Sequence, residues 1–367
     1  MIVHRYILSQ ILWPIVAAFF SLNLLFLVVQ LLKIAEVAVG AGLGLTDLYK
    51  VTLFFLPGFA VVTIPIAVLT GVLLGFGRLA EDGELVGLAS AGISNARLAV
   101  VPMGLGLVAA VISLLIAGFV APASTAALHQ AFVDLSKRHV SESLKPGRFF
   151  EEIPGVVLYP REKTSDGSGW KGFLMYDRRP GRARHILVAK QARVRPGKSG
   201  NYLELALQDG EVHARNKPER IYSIARFDKA RIGIDIDRLI YDRTRFISTT
   251  ERLSLGELAA AGRDQSLEPR QRARHLSAWH RRFAFPVAAV LFGLLGCALG
   301  SSGKLRGKRR TLLAAVVIVA AYYLLMRMSD TIVDKGFLNP GLSAWLPDML
   351  VAGLVGWLMV RQARSPG

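Results

Sequence analysis

The sequence predicts an α-helical membrane bundle of six transmembrane helices with an inserted all-β domain, and three observations carry that prediction. Apolar residues make up 52% of the 367-residue chain although it holds 45 lysines and arginines, and its mean hydropathy is +0.39. A soluble domain does not combine these properties, so they must be segregated along the chain. Runs near the ~20 apolar residues that cross a ~30 Å hydrocarbon core occur only toward the two ends. The long stretch between them carries short β-branched and aromatic segments separated by turn residues.

Spans are expected at residues 11–32, 51–76 and 98–121, and after the gap at 283–299, 312–333 and 345–360. Pro14, Pro57, Pro65, Gly71, Gly75, Gly104 and Gly106 fall inside these runs. They would weaken a soluble helix, but neighbouring helices in a bilayer satisfy the freed backbone groups. The first run exceeds the ~7–15-residue core of a secretory signal, and no small-x-small cleavage pattern follows it, so it is read as a retained span.

Cytoplasmic loops are enriched in Lys and Arg. Residues 303–310 form the strongest such loop; Arg361, Arg364, Arg78, Arg97 and Arg5 fall on the same side, whereas residues 35–49 hold no Lys or Arg. Both termini are therefore expected in the cytoplasm. The expected segments are 1–121 with the first three helices, 122–278 outside the cytoplasm, and 279–367 with the last three helices. The middle segment is basic, but long loops translocate largely regardless of charge. The pI of about 10.4 thus points to acidic lipid headgroups and not to nucleic acid.

Within the middle segment, residues 155–159, 172–176, 186–189, 202–207 and 232–236 read as strands, with turn signals at 166–169, 179–181, 196–200 and 209–210. A sandwich or open barrel is the expected arrangement. Residues 126–140 read as a helix continuing from span three, and 255–274 as a polar connector leading to span four.

The search for chemistry is mostly negative. The single cysteine, Cys297, sits among small residues of span four as a packing residue, so no intramolecular disulfide forms. The seven histidines are scattered and no His-Glu-x-x-His pattern occurs, so no metal is expected. Between Gly303 and Gly307 the chain superficially resembles a phosphate loop. It has three rather than four residues there, and Arg309 stands where Ser or Thr is required. The chain is therefore expected to be no enzyme and to hold no cofactor. Asp235, Asp237 and the nearby Asp242 admit a metal site, but Arg231, Arg238 and Arg243 offer ion partners that make a solvated strand end the simpler account.

Two features call for more. The loop between spans two and three places Glu81, Asp82 and Glu84 ahead of Leu85, Leu88 and Ala89, the spacing of one helical face, and closes on Gly92. It reads as a short surface helix, acidic where the helix dipole favours anions, which either docks on a partner or is an ordinary solvated connector. The second feature is charge at membrane depth. Arg327 and Asp330 lie three apart in span five and can pair, and Lys33 and Glu36 repeat that spacing at the end of span one. Such residues mark a substrate path, or else Lys33 snorkels and Arg327 forms a structural pair with Asp330.

The opening Arg5-Tyr6, the run Gly77-Arg78-Leu79-Ala80-Glu81-Asp82-Gly83-Glu84-Leu85 continuing to Ala91-Gly92-Ile93-Ser94, the Ala121-Pro122 exit from span three, and Phe227 ahead of the strand ending in Ile234-Asp235 together resemble the lipopolysaccharide-export permease family, LptF/LptG. The likeness covers essentially the whole chain, and its acidic loop is the most specific element. The start, Met1-Ile2-Val3-His4-Arg5-Tyr6, is more similar to the LptF side than to the LptG side.

The resemblance implies a permease subunit of an ATP-driven (ABC) exporter that extracts lipopolysaccharide from the bacterial inner membrane and passes it to a periplasmic bridge. LptF and LptG would pair around an outward-open cavity, while two copies of the cytoplasmic ATPase LptB bind ATP and Mg. The outer domain would match the family's periplasmic β-jellyroll and hand lipid to an LptC- or LptA-like jellyroll. Residues 78–94 match the coupling helix, which implies contact with the ATPase by Arg78, Glu81, Asp82, Glu84, Leu85, Leu88 and Gly92. Lys33 falls where a basic residue meets the lipid's phosphates, and position alone adds Arg327 and Lys335. Gln30 and Leu31 stand where the family has a richer basic cluster.

The physics agrees with this picture. Extracting a lipid removes CH₂ groups from hydrocarbon at ~0.8 kcal/mol each, so apolar walls are needed to contain the cost. Two other classes stay open: an ion-coupled secondary transporter using Arg327 and Asp330 as a relay, although no inverted repeat is visible, and a membrane-anchored periplasmic scaffold.

Overall fold

The computed structural model describes residues 2–41, 45–151, 153, 155–165, 167–178, 184–196, 202–216, 221–235, 248–302 and 307–364. The chain order is α1 (Ile2–Ala41), α2 (Leu45–Glu81), α3 (Glu84–Ser90), α4 (Asn95–Leu115), a π-helical turn at Ile116–Val120, α5 (Ala121–Ser143), and strands β1 (Val156–Lys163), β2 (Trp170–Asp177), β3 (Arg184–Pro196), β4 (Tyr202–Asn216) and β5 (Ile221–Asp235). It continues through α6 (Thr249–Arg252), α7 (Leu255–Arg263), α8 (Pro269–Gly300), α9 (Lys308–Asp334) and α10 (Pro340–Arg364). The chain divides into two compact units: Met1–Lys33, Tyr49–Ala127 and Ser248–Gly367 form one, and Ile34–Leu48 with Leu128–Ile247 form the other.

In the helical unit, six helices among the described residues are long and apolar enough to cross a membrane: Ile2–Lys33, Val51–Glu81, Ala96–Ala131, Pro269–Gly300, Lys308–Asp334 and Pro340–Gln362. Its centre is a pair of neighbouring apolar clusters, one around Leu69, Leu73, Phe292 and Leu295 and the other around Ile7, Ile11, Val72, Phe76 and Leu98. Helices α4 and α8 come into backbone contact through small residues. A Cβ on Gly106 would stand 2.9 Å from the Cα of Val290, and one on Gly293 would stand 2.9 Å from the carbonyl oxygen of Pro102. Without strong hydrophobic driving force between helices in lipid, this close packing is what holds them together. Buried polar side chains pair across helices: Asn23 donates to Thr63 Oγ1 at 2.8 Å, Tyr322 to Asp348 Oδ1 at 2.9 Å, and Ser343 to the Ser329 carbonyl at 3.0 Å.

Helix α8 begins at Pro269, well ahead of the apolar run at 283, so the expected polar connector 255–274 is in fact α7 followed by the opening turns of the fourth membrane helix. In these opening turns Arg274 pairs with Asp334 of α9, as described below. Ser254 caps α7 in a reciprocal box with Glu257: Ser254 N–H donates to the carboxylate at 2.7 Å and Glu257 N–H to Ser254 Oγ at 3.3 Å.

The strand unit is a five-stranded antiparallel sheet in the order β1-β2-β3-β4-β5. Alternation follows the pleat: in β3, Leu187 and Ala189 are buried while Ile186 and Val188 are exposed. The buried face gathers Val156, Leu158, Phe173, Met175, Leu187, Leu205, Leu207 and Ile234, and Val133 of α5 with Leu144, Phe150 and Ile153 packs against it. Two expectations change. Strands β4 and β5 extend through polar residues that the apolar pattern omits, and the turn expected at 209–210 lies inside β4. Asp209 takes a left-handed conformation (φ 49°) there, while Gly210 pairs with Phe227 of β5, and any Cβ on Gly210 would meet the Phe227 ring. The glycine serves cross-strand packing. The turn signals at 179–181, the residues 197–200 and 166, and the acidic Asp237 and Asp242 lie outside the described residues. Among the described residues no cluster of potential metal ligands occurs.

Candidate functional site

The acidic loop forms the short helix α3, set off from α2 by Asp82 and Gly83. Its C-terminus is closed by Gly92 in the left-handed region (φ 78°): the Gly92 N–H donates to Ala89 O at 2.9 Å and the Ile93 N–H to Leu88 O at 3.0 Å. This pair of bonds is the Schellman arrangement, and Gly at that position carries no Cβ penalty. Ser94 then opens α4 by accepting from the Arg97 N–H.

The two sides of α3 differ. Leu85, Leu88 and Ile93 are half-buried against Ile7, Ile11, Phe76 and Leu98, whereas Val86 is 73% exposed. The charged residues are tied back to the chain. Arg78 and Asp82 sit 3.6 Å apart as an exposed i,i+4 pair, the Gly307 N–H donates to Glu81, and Tyr6 Oη lies 2.8 and 2.6 Å from the two oxygens of Glu84. The structure thus brings Arg78, Glu81, Asp82, Glu84, Leu85, Leu88 and Gly92 together in one exposed element, with Tyr6 and Gly307 as participants that the linear pattern does not reveal.

The ionisable residues of the spans are arranged differently from expectation. Asp330 pairs with Arg281 of α8, and not with Arg327. Residues three apart on a helix diverge by about 60°, and here Asp330 is turned inward to α8 while Arg327 is exposed. One turn further on, Asp334 accepts a two-pronged bond from Arg274, with Nε at 2.7 Å and Nη2 at 2.9 Å. Arg274 and Arg281, seven apart on α8, therefore clasp Asp334 and Asp330, four apart on α9. Arg282 turns to the connector, donating to the carbonyl oxygens of Thr250, at 3.3 Å, and Leu253. The sequence pattern does not single out these residues: Arg274 falls in the expected connector 255–274, Arg281 and Arg282 just ahead of the apolar run at 283, and Asp334 just past the run ending at 333; the seven- and four-residue spacings of Arg274 with Arg281 and of Asp330 with Asp334 are the signal that could have found them. Lys33 is exposed on α1 and Lys335 is exposed at the C-cap of α9. The side chain of Glu36 and residues 303–306 lie outside the described residues. Cys297 is buried in the packing around Val72 and Phe76.

The family model described as "Lipopolysaccharide export system permease LptF/LptG" matches residues 5–361, nearly the whole chain. The chain belongs to the LptF/LptG family. Among curated proteins it is similar to the lipopolysaccharide export system permease protein LptF of Escherichia coli (strain K12), at 22% identity over 356 residues, which cover 96% of this chain and 93% of that protein. LptF of Shigella flexneri matches with the same identity and coverage. The likeness of the opening residues to the LptF side agrees with these relatives. A permease subunit of the lipopolysaccharide export system, multi-pass in the membrane, accounts for the six apolar helices and the inserted sheet.

Proposed function

We propose that this chain is one half of the membrane permease of an ATP-driven exporter, which draws lipopolysaccharide out of the bacterial inner membrane and releases it toward a periplasmic bridge. ATP and Mg are held by a separate cytoplasmic ATPase of the LptB kind in two copies. The second permease is the LptG paralogue, and the strand unit, periplasmic in this reading, hands lipid to an LptC- or LptA-like jellyroll. Both termini then lie in the cytoplasm, in keeping with the basic residues of the short loops.

The observation that carries this reading is α3. It is a short helix with an acidic start, anchored by Leu85 and Leu88 on one side and bare at Val86 on the other. Its apolar side is seated on this chain's own core, so the acidic start and Val86 are what it offers to a partner. The outward faces of α1 and α9 support the pairing: Trp13, Phe20, Leu24 and Leu25 are 58–76% exposed, and Leu313, Val316 and Leu324 are 63–64% exposed. In a bilayer such faces meet lipid, the cargo's acyl chains or a paralogue. Lys33, Arg327 and Lys335, exposed at or near the ends of these two helices, are suited to the lipid's phosphates.

Gentle detergent purification of the tagged chain should recover a nucleotide-binding subunit and a related six-span protein. Glu84→Lys should lower recovery of that subunit several-fold and halt ATP-dependent lipid release. Undiminished recovery and export by Glu84→Lys would remove the coupling role of α3.

A further inference from the structure

Glu84 does not stand free on α3. Its carboxylate is held from within the chain by Tyr6, in the opening turns of α1, 78 residues away in sequence. The same stretch of α1 supplies Ile7 and Ile11 to the cluster under Leu85 and Leu88. The contact between α1 and α3 therefore has an apolar part, which can slide, and one directional polar bond, which cannot. A phenol has a single proton to donate, whereas a carboxylate offers about four lone-pair sites. Tyr6 engages Glu84 while leaving it free to accept from a second donor. The short O–H···O⁻ bond is of the stronger, charge-assisted class. Glu81, by contrast, is tied to Gly307 at the head of α9, so the two acidic residues link this loop to different helices.

We propose that Tyr6 is a positioning residue for energy coupling: its phenol fixes the Glu84 carboxylate between α1 and an incoming cationic side chain of the ATPase, so that displacement of α3 is carried into the first membrane helix. This rests on the reading above that α3 receives an ATPase. Without the phenolic bond the ATPase still has an acidic helix to grip, but α3 can shift over its apolar bed without taking α1 along.

The test is Tyr6→Phe, which keeps the ring and deletes only the bond, in the full complex reconstituted with its ATPase in vesicles containing lipopolysaccharide. The measurements are recovery of the ATPase with the complex and lipid released per ATP hydrolysed. The expected result is undiminished recovery with a release-per-ATP ratio lowered about tenfold or more, the scale set by losing one hydrogen bond to a charged group. A ratio equal to that of the parent overturns the proposal. So does loss of the ATPase from the Tyr6→Phe complex, which makes Tyr6 a docking or folding residue only. Failure of the unmutated complex to release lipid on ATP addition overturns the ATPase reading itself, and the proposal with it; that arm is read without any variant.

Discussion

The contact between α4 and α8 can be tested by two glycines on one helix. At Gly106 an added methyl would lie 2.9 Å from Val290 Cα, 3.1 Å from Ala289 O and 3.4 Å from Val290 N, all of them backbone atoms that no rotamer change can move. At Gly104 nothing lies within 4 Å. Ordinary contact requires the helices to part by about half an ångström at Gly106, and such overpacking costs about 1–3 kcal/mol. Both substitutions to alanine gain the same helix-propensity term, about 0.5–1 kcal/mol, so the difference between the two variants isolates the packing cost. Gly104→Ala should be neutral or stabilising, and Gly106→Ala should fall below it by about 1–3 kcal/mol. The assay is the unfolding midpoint of each purified protein in mixed micelles titrated with a denaturing detergent, read by tryptophan fluorescence. Equal midpoints for the two variants would refute the argument that Gly106 sits at a backbone-to-backbone contact.

Two further outcomes follow from the ion pairs and the cap. Arg281→Ala should destabilise the purified protein more than Arg274→Ala, because Arg281 and Asp330 are only 23% and 26% exposed while Arg274 is 60% exposed. A double-mutant cycle should return a coupling of about 0–1 kcal/mol for the Arg274–Asp334 pair and a larger one for Arg281–Asp330. The Glu257 carboxyl is held below its ordinary range by the hydrogen bonds from Ser254. A depressed folded-state value means that its contribution is present above the unfolded range and is lost as pH falls through the folded value. Glu257→Gln should therefore flatten the acid side of the thermal midpoint measured against pH, and an unchanged acid limb would count against the cap.

The parts of this fold that could be read in advance are those set by local pattern. A run such as 51–76 is apolar over a length that only a bilayer crossing or a buried core can use, and the alternation at 186–189 has the two-residue period of a half-buried strand. The acidic loop was legible for the same reason: a helix start, an apolar face and a closing glycine fall within a few residues of each other. The polar halves of β4 and β5 were not legible, since one face of the sheet is solvated and its residues obey no apolar rule. Asp209-Gly210 misled as a turn signal because the reason for its glycine, the Phe227 ring, lies on another strand.

What the residues determined by themselves was how many times the chain can cross a membrane, that five strands lie between the two apolar ends, and which loop is built as a short acidic helix. Those properties depend on free energies of transfer and on dihedral preferences that act over a few neighbouring positions. Which charges meet was decided only when the helices packed. Asp330 took Arg281 in preference to Arg327, and Glu84 took Tyr6, because a partner for a charged group is whichever donor the facing helix presents, and facing is a property of the assembled fold.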